Sequence, residues 1–81
     1  MLGYVSEREF KLQFEDSFKQ FFKPLCFHAM SFVKDADIAK DIVHDVFLTT
    51  WTQREKIDFT QPMLPYYLSL TRNRSLNYLD H

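Results

Sequence analysis

Glycine occurs once in this chain of 81 residues, as Gly3. A β-sandwich or barrel needs many tight turns, and those turns draw on glycine, so the chain is steered toward helices. Nine phenylalanines and a hydrophobic fraction of 46% provide a core and exclude disorder for most of the chain. At this length one small domain is expected, with a core so marginal that each helix must bury its apolar stripe efficiently.

The apolar spacing gives the helices. Ser6-Glu7-Arg8-Glu9 fits a capping box, with Ser6 as N-cap and Glu9 reaching back. Phe10, Phe14, Phe18, Phe21 or Phe22, Leu25, Ala29, Phe32 and Val33 then recur at three-to-four spacing. Pro24 falls inside this run, and an interior proline costs a helix roughly 3 kcal/mol. The reading is a helix over about 6–34, kinked near Phe21 or broken with Pro24 in the first turn of a second helix. Asp35 or Asp37 caps the next helix, over about 37–54. A loop over 55–61 follows, and Pro62 or Pro65 opens a last helix over about 62–79. That helix is expected to bury Leu64, Tyr67, Leu68, Thr71, Ser75 and Leu79, with Tyr66, Leu70, Asn73, Arg74 and Asn77 on its other face. The fold class is all-α, a compact bundle of three to four helices.

The formal net charge is −1, so bulk electrostatics do not suit the chain to nucleic acid, and any DNA contact must be local or helped by a partner. The single cysteine, Cys26, excludes a disulfide framework and favours a reducing, cytoplasmic setting. No apolar run is long enough to span a membrane, and the N-terminus lacks a signal-peptide layout, so no membrane insertion is expected. Cys26, His28, His44 and His81 have no metal-ligand spacing, so no metal is expected. No cofactor is expected either. No phosphate loop, activated nucleophile or carboxylate pair points to an enzyme.

The middle helix carries the functional signal. One face presents Ile38, Ala39, Ile42, Val43 and Val46, the spacing of a buried stripe. The opposite face presents Asp41, His44, Asp45 and Leu48, with Trp51 at its edge. A free surface gains nothing from mixing carboxylates with a leucine, but a basic, partly apolar partner does.

The helix DIVHDVFLTTW, the loop KIDFTQPML and the helix YYLSLTRNRSLNYL stand in an order that resembles region 2 of the sigma-70 family of RNA polymerase sigma factors, of the extracytoplasmic-function type. FEDSFKQFFKPLCFHAMSFVKD resembles the family's first helices, and the likeness runs from about Phe10 to His81. The resemblance implies a transcription-initiation domain that docks on the clamp helices of the largest subunit of RNA polymerase core. It also implies that the domain holds the melted non-template strand of the −10 promoter element, and it leaves an anti-sigma factor open as a further partner. By position, Asp41, His44, Asp45, Leu48 and Trp51 would face the polymerase. Phe59, Thr60 and Gln61 would form the specificity loop. Asn73 would line a pocket for an extruded base, and Tyr66, Arg72, Arg74 and Asn77 would serve the same DNA strand. The residue types suit those roles. Carboxylates bond arginine strongly, a central leucine gives an interface its desolvated core, and aromatic faces hold single-stranded bases.

Two positions depart from the pattern. His44 stands where glutamine is usual, and Ser69 where a basic residue is frequent. A complete factor of this type continues into a second helical domain that reads the −35 element. Nothing in these 81 residues is that domain, so a fragment cut at a domain boundary is expected. Blander readings stand beside these. Asp41 and Asp45 form a solvated helix face, Trp51 belongs to the core, and His28 is packing. Asn73 bonds a nearby loop, and Arg72 and Arg74 pair with local acids such as Asp80. The alternative function is a helical protein-interaction or regulatory module without DNA binding.

Overall fold

A computed structural model describes residues 6–80. The expectations placed on the first five residues and on His81 lie outside that span. Three helices make the domain: α1 (Glu7–Val33), α2 (Ala36–Thr52) and α3 (Leu64–Leu79), with a short 3-10 turn at Arg54–Lys56. No strand occurs among the described residues.

Each boundary has a local cause. The Ser6 hydroxyl accepts the Glu9 N–H at 3.2 Å and donates to Glu9 Oε1 at 3.3 Å. The capping box therefore closes on the serine side chain, and Glu7 and Glu9 suit the positive end of the helix dipole. α1 ends at Lys34, which adopts the left-handed conformation (φ 60°) and donates its N–H to Met30 at 3.0 Å. Without a glycine, that turn costs roughly 1–2 kcal/mol. Asp35 caps α2 at once by accepting the N–H groups of Asp37 (2.9 Å) and Ile38 (3.0 Å). Pro65 sits in the first turn of α3, where its missing N–H is not needed.

Pro24 does not divide the chain. α1 is one helix of 27 residues with the proline inside it, so of the two alternatives, a kinked helix or a broken pair, the broken pair does not form. The proline removes the N–H that would bond the Gln20 carbonyl. Gln20 is exposed, so water can reach it, while Leu25, Ala29 and Val33 just beyond are buried and hold the helix on the bundle.

The core is made by Leu25, Ala29 and Val33 of α1, Ala39, Ile42, Val43, Val46 and Phe47 of α2, and Met63 and Tyr67 at α3. Phe47 belongs to the buried stripe although the expected list stopped at Val46. Its ring meets Phe18 at 5.0 Å and Tyr67 at 4.8 Å, so one aromatic joins all three helices. Leu64 and Leu79, expected inside, are 39% and 52% exposed. Each is a terminal residue of α3, past the reach of its packing partners. Thr71 and Ser75 are fully buried, and their hydroxyls, like that of Tyr67, make no hydrogen bond. Tyr67 is pushed above the ordinary tyrosine pKa by burial. No helix among the described residues is long and apolar enough to cross a membrane.

Candidate functional site

Two surfaces gather the residues singled out in the sequence. The first lies along α2. Asp41 and His44 are exposed, and Leu48 is 63% exposed although core residues flank it in the chain. Burying Ala39, Ile42, Val43, Val46 and Phe47 turns positions 41, 44 and 48 outward by helical geometry alone and leaves position 45 at the edge facing α3. The His44 ring is braced by aromatics, 5.0 Å from Phe22 and nearly parallel to Phe18 at 6.5 Å.

Trp51 is half-buried, which lies between the two readings offered for it. Its ring packs on Phe14 at 5.1 Å, and the Arg54 guanidinium lies 4.2 Å from its centroid. Arg54 also pairs with Glu7 at 2.8 Å and donates to the Trp51 carbonyl at 2.9 Å. The start of α1 is thereby fastened to the end of α2. Between them opens a shallow, largely apolar groove of about 330 Å³ lined by Lys11, Phe14, Glu15, Leu48 and Trp51. The sequence reading missed the α1 wall of this groove, because only the helix pairing brings it beside Leu48.

Asp45 has a partner inside the domain. Arg74 of α3 forms an ion pair with its carboxylate, and the second terminal nitrogen of Arg74 donates to Thr49 Oγ1 at 2.9 Å. Two residues assigned to different surfaces thus hold each other, and Thr49, unnoticed in the sequence, completes the cluster.

The second surface is the loop before α3. Asp58 accepts both the N–H (3.0 Å) and the hydroxyl (2.5 Å) of Thr60, and its carbonyl accepts the Gln61 N–H at 3.1 Å. The Thr60 hydroxyl and N–H hold the Asp58 carboxyl below its usual range, so the turn is tightest when Asp58 is ionised. Phe59 is half-buried, edge-on to Phe10 at 6.3 Å. A cavity of about 230 Å³ lies between this loop and α1, with Gln13, Asp16, Ser17 and Gln20 on one side and Phe59 and Gln61 on the other. Phe21 and Met63 also line it.

On α3, Arg72, Asn73 and Asn77 are exposed. Asn73 stands on the open face of α3, and the residues that line the loop cavity come from α1 and the loop. Tyr66 is half-buried with its hydroxyl 3.5 Å from Thr50 Oγ1, while Tyr67 lies wholly inside. His28 packs edge-on to Phe32 at 5.2 Å, and burial pushes the Cys26 thiol up. No cluster of three or more His, Cys, Asp or Glu side chains able to hold a metal forms among the described residues.

The family model for Sigma-70 region 2 matches residues 18–81, most of the chain. No curated protein and no solved structure matches it. The chain therefore belongs to the sigma-70 region 2 family and is a domain of the transcription-initiation sigma factors.

Proposed function

We propose that this domain, of the extracytoplasmic-function type, docks through α2 on the clamp helices of the RNA polymerase largest subunit. Once docked, it holds the melted non-template strand of the −10 element with the loop before α3 and the exposed face of α3. One observation carries the docking half: Leu48 stands 63% exposed in the Trp51 groove, two turns along α2 from the exposed Asp41, on a helix whose other face packs into the core. An exposed apolar side chain on a helix face that also carries Asp41 and Asp45 suits the centre of an interface with a cationic helix. The loop and α3 supply Phe59 and Tyr66 as stacking faces, Gln61, Asn73 and Asn77 as amides, and Arg72 as an exposed cation.

Capture of the clamp helices by the immobilised domain tests the docking half. Asp41→Ala and Leu48→Ala should each weaken capture, and undiminished capture by the double variant overturns it. Binding of −10 strands in the presence of polymerase core tests the other half. The tie between Arg74 and Asp45 favours a second reading, a docking module without DNA contact, because it removes one cation from those offered to DNA. That reading requires that Phe59→Ala and Asn73→Ala leave strand binding unchanged.

A further inference from the structure

The two most exposed large apolar side chains among the described residues are Phe27 at 68% and Leu48 at 63%. Docking through α2 accounts for Leu48 and leaves Phe27 without a use. Phe27 stands on the face of α1 turned away from Leu25, Ala29 and Val33, with Lys23 one turn before it and Lys34 two turns after it, all three exposed. From Ser17 to Lys34 the chain holds Lys19, Lys23 and Lys34 and no Asp or Glu. None of these lysines enters an ion pair among the described residues. An exposed ring among unpaired cations is the counterpart of the α2 face, where an exposed leucine stands with carboxylates.

The surface that fits this face is on the same molecule. Leu48 borders a groove of about 330 Å³ whose other apolar walls are Phe14 and Trp51. Pockets that take small molecules run from roughly 300 to 1,000 Å³, so the groove suits one aromatic ring. Asp41 is exposed on the same face of α2, seven residues and about 10.5 Å before Leu48. Lys34 lies the same seven residues after Phe27. With α1 of one copy laid antiparallel on α2 of another, Phe27 over Leu48 therefore brings Lys34 over Asp41. Opposite charges at matched spacing fix that register, and the ring in the groove supplies a desolvated centre.

We propose that a second copy of this chain is the partner of the basic face: Phe27 of one copy enters the groove beside Leu48 and Trp51 of the next, with Lys34 against Asp41. Ring and groove lie on different faces, so the contact is heterologous and each copy can take a neighbour on either side. One helix laid on another buries little area, so the association is weak and shows at high protein concentration and low salt. The contact stands on geometry and charge and does not need the docking reading. Its consequence does rest on that reading: a copy seated in the groove covers Asp41 and Leu48, so self-association and capture of the clamp helices exclude each other.

Sedimentation of the whole chain over a concentration series in low salt reads the contact directly. The average mass should rise with concentration and fall back when salt is added. Phe27→Ala and Leu48→Ala, both at exposed positions, should each lower the association constant roughly tenfold. Lys34→Glu and Asp41→Lys should each weaken association by a similar factor, with circular dichroism showing the helices kept. Mixing those two proteins should restore it, because each altered face then meets its opposite. A mass that stays at one chain at millimolar concentration overturns the proposal. So does association that survives Asp41→Lys, which would mean that two Phe27 faces pair with each other. Clamp helices in excess should break the assembly into single copies. If they bind and the assembly persists, the groove assignment falls while the docking reading stands. If they do not bind, the docking reading falls, and the sedimentation of the variants alone decides the contact.

Discussion

Arg74 of α3 grips Asp45 of α2 and, with its other terminal nitrogen, Thr49 one turn further along. The guanidinium thus joins α2, which carries the proposed docking face, to α3, which carries part of the proposed promoter face. Both side chains keep contact with solvent, at 35% and 47% exposure, so screening limits what the pair contributes. A double-mutant cycle with Asp45→Ala and Arg74→Ala in urea unfolding should give a coupling of about 0.5–1 kcal/mol that shrinks in high salt. The same pair competes with docking, since a carboxylate held by Arg74 is less available to a basic partner. Arg74→Ala should therefore tighten capture of the clamp helices, and weaker capture would show that the pair positions Asp45 for its partner.

Leucine at two positions separates structure from function. Leu25 is fully buried and Leu48 is 63% exposed. Leu25→Ala should cost about 2–5 kcal/mol of stability, as core truncations do. Leu48→Ala should stay within about 0.5 kcal/mol in unfolding while losing most of the docking affinity. Equal losses of stability from the two would mean that Leu48 supports the fold.

Tyr67 links stability to alkaline pH. Burial raises its pKa above the ordinary value near 10, so the folded state favours the protonated ring. That preference is fully present below about pH 10 and is lost as pH rises through the raised value. Tyr67→Phe should move alkaline unfolding to higher pH. Near neutrality it should cost little, because the hydroxyl it removes is buried and makes no hydrogen bond. Spectroscopic melts across a pH series decide both points.

Pro24 lies in a helix that continues past it. Pro24→Ala restores the N–H that the Gln20 carbonyl lacks, and should raise stability by about 1–2 kcal/mol, part of the roughly 3 kcal/mol interior penalty. A lower melting temperature would mean that the packing of α1 depends on the proline's shape.

The bundle was legible in the sequence because helix periodicity and cap residues act over a few positions. Ser6, Asp35 and the stripe from Ala39 to Val46 needed no knowledge of the rest of the chain. Of the two outcomes the sequence left open at Pro24, the break did not form, because local propensity counts the lost hydrogen bond but not the burial of Leu25 and Ala29 beyond it. The outward setting of Asp41, His44 and Leu48 followed from the same periodicity. The Asp45–Arg74 pair did not, since its members are separated by 29 positions and only the packing of α2 on α3 joins them. The α1 walls of the groove and of the loop cavity were hidden for the same reason: Phe14 reads as core and Asp16 as solvent until the partner element is in place.

An unbroken α1 runs beside both surfaces, and at 1.5 Å per residue its 27 residues reach about 40 Å, nearly the 42 Å length of the domain. Its opening turns are tied to Trp51 through Phe14, to Arg54 through Glu7 and to Phe59 through Phe10. If α2 docks as proposed, a rod anchored in this way would carry a tilt imposed on the end of α2 to the loop before α3. The two proposed contacts would then share one mechanical element, and a substitution in the first three turns of α1 would be felt at both.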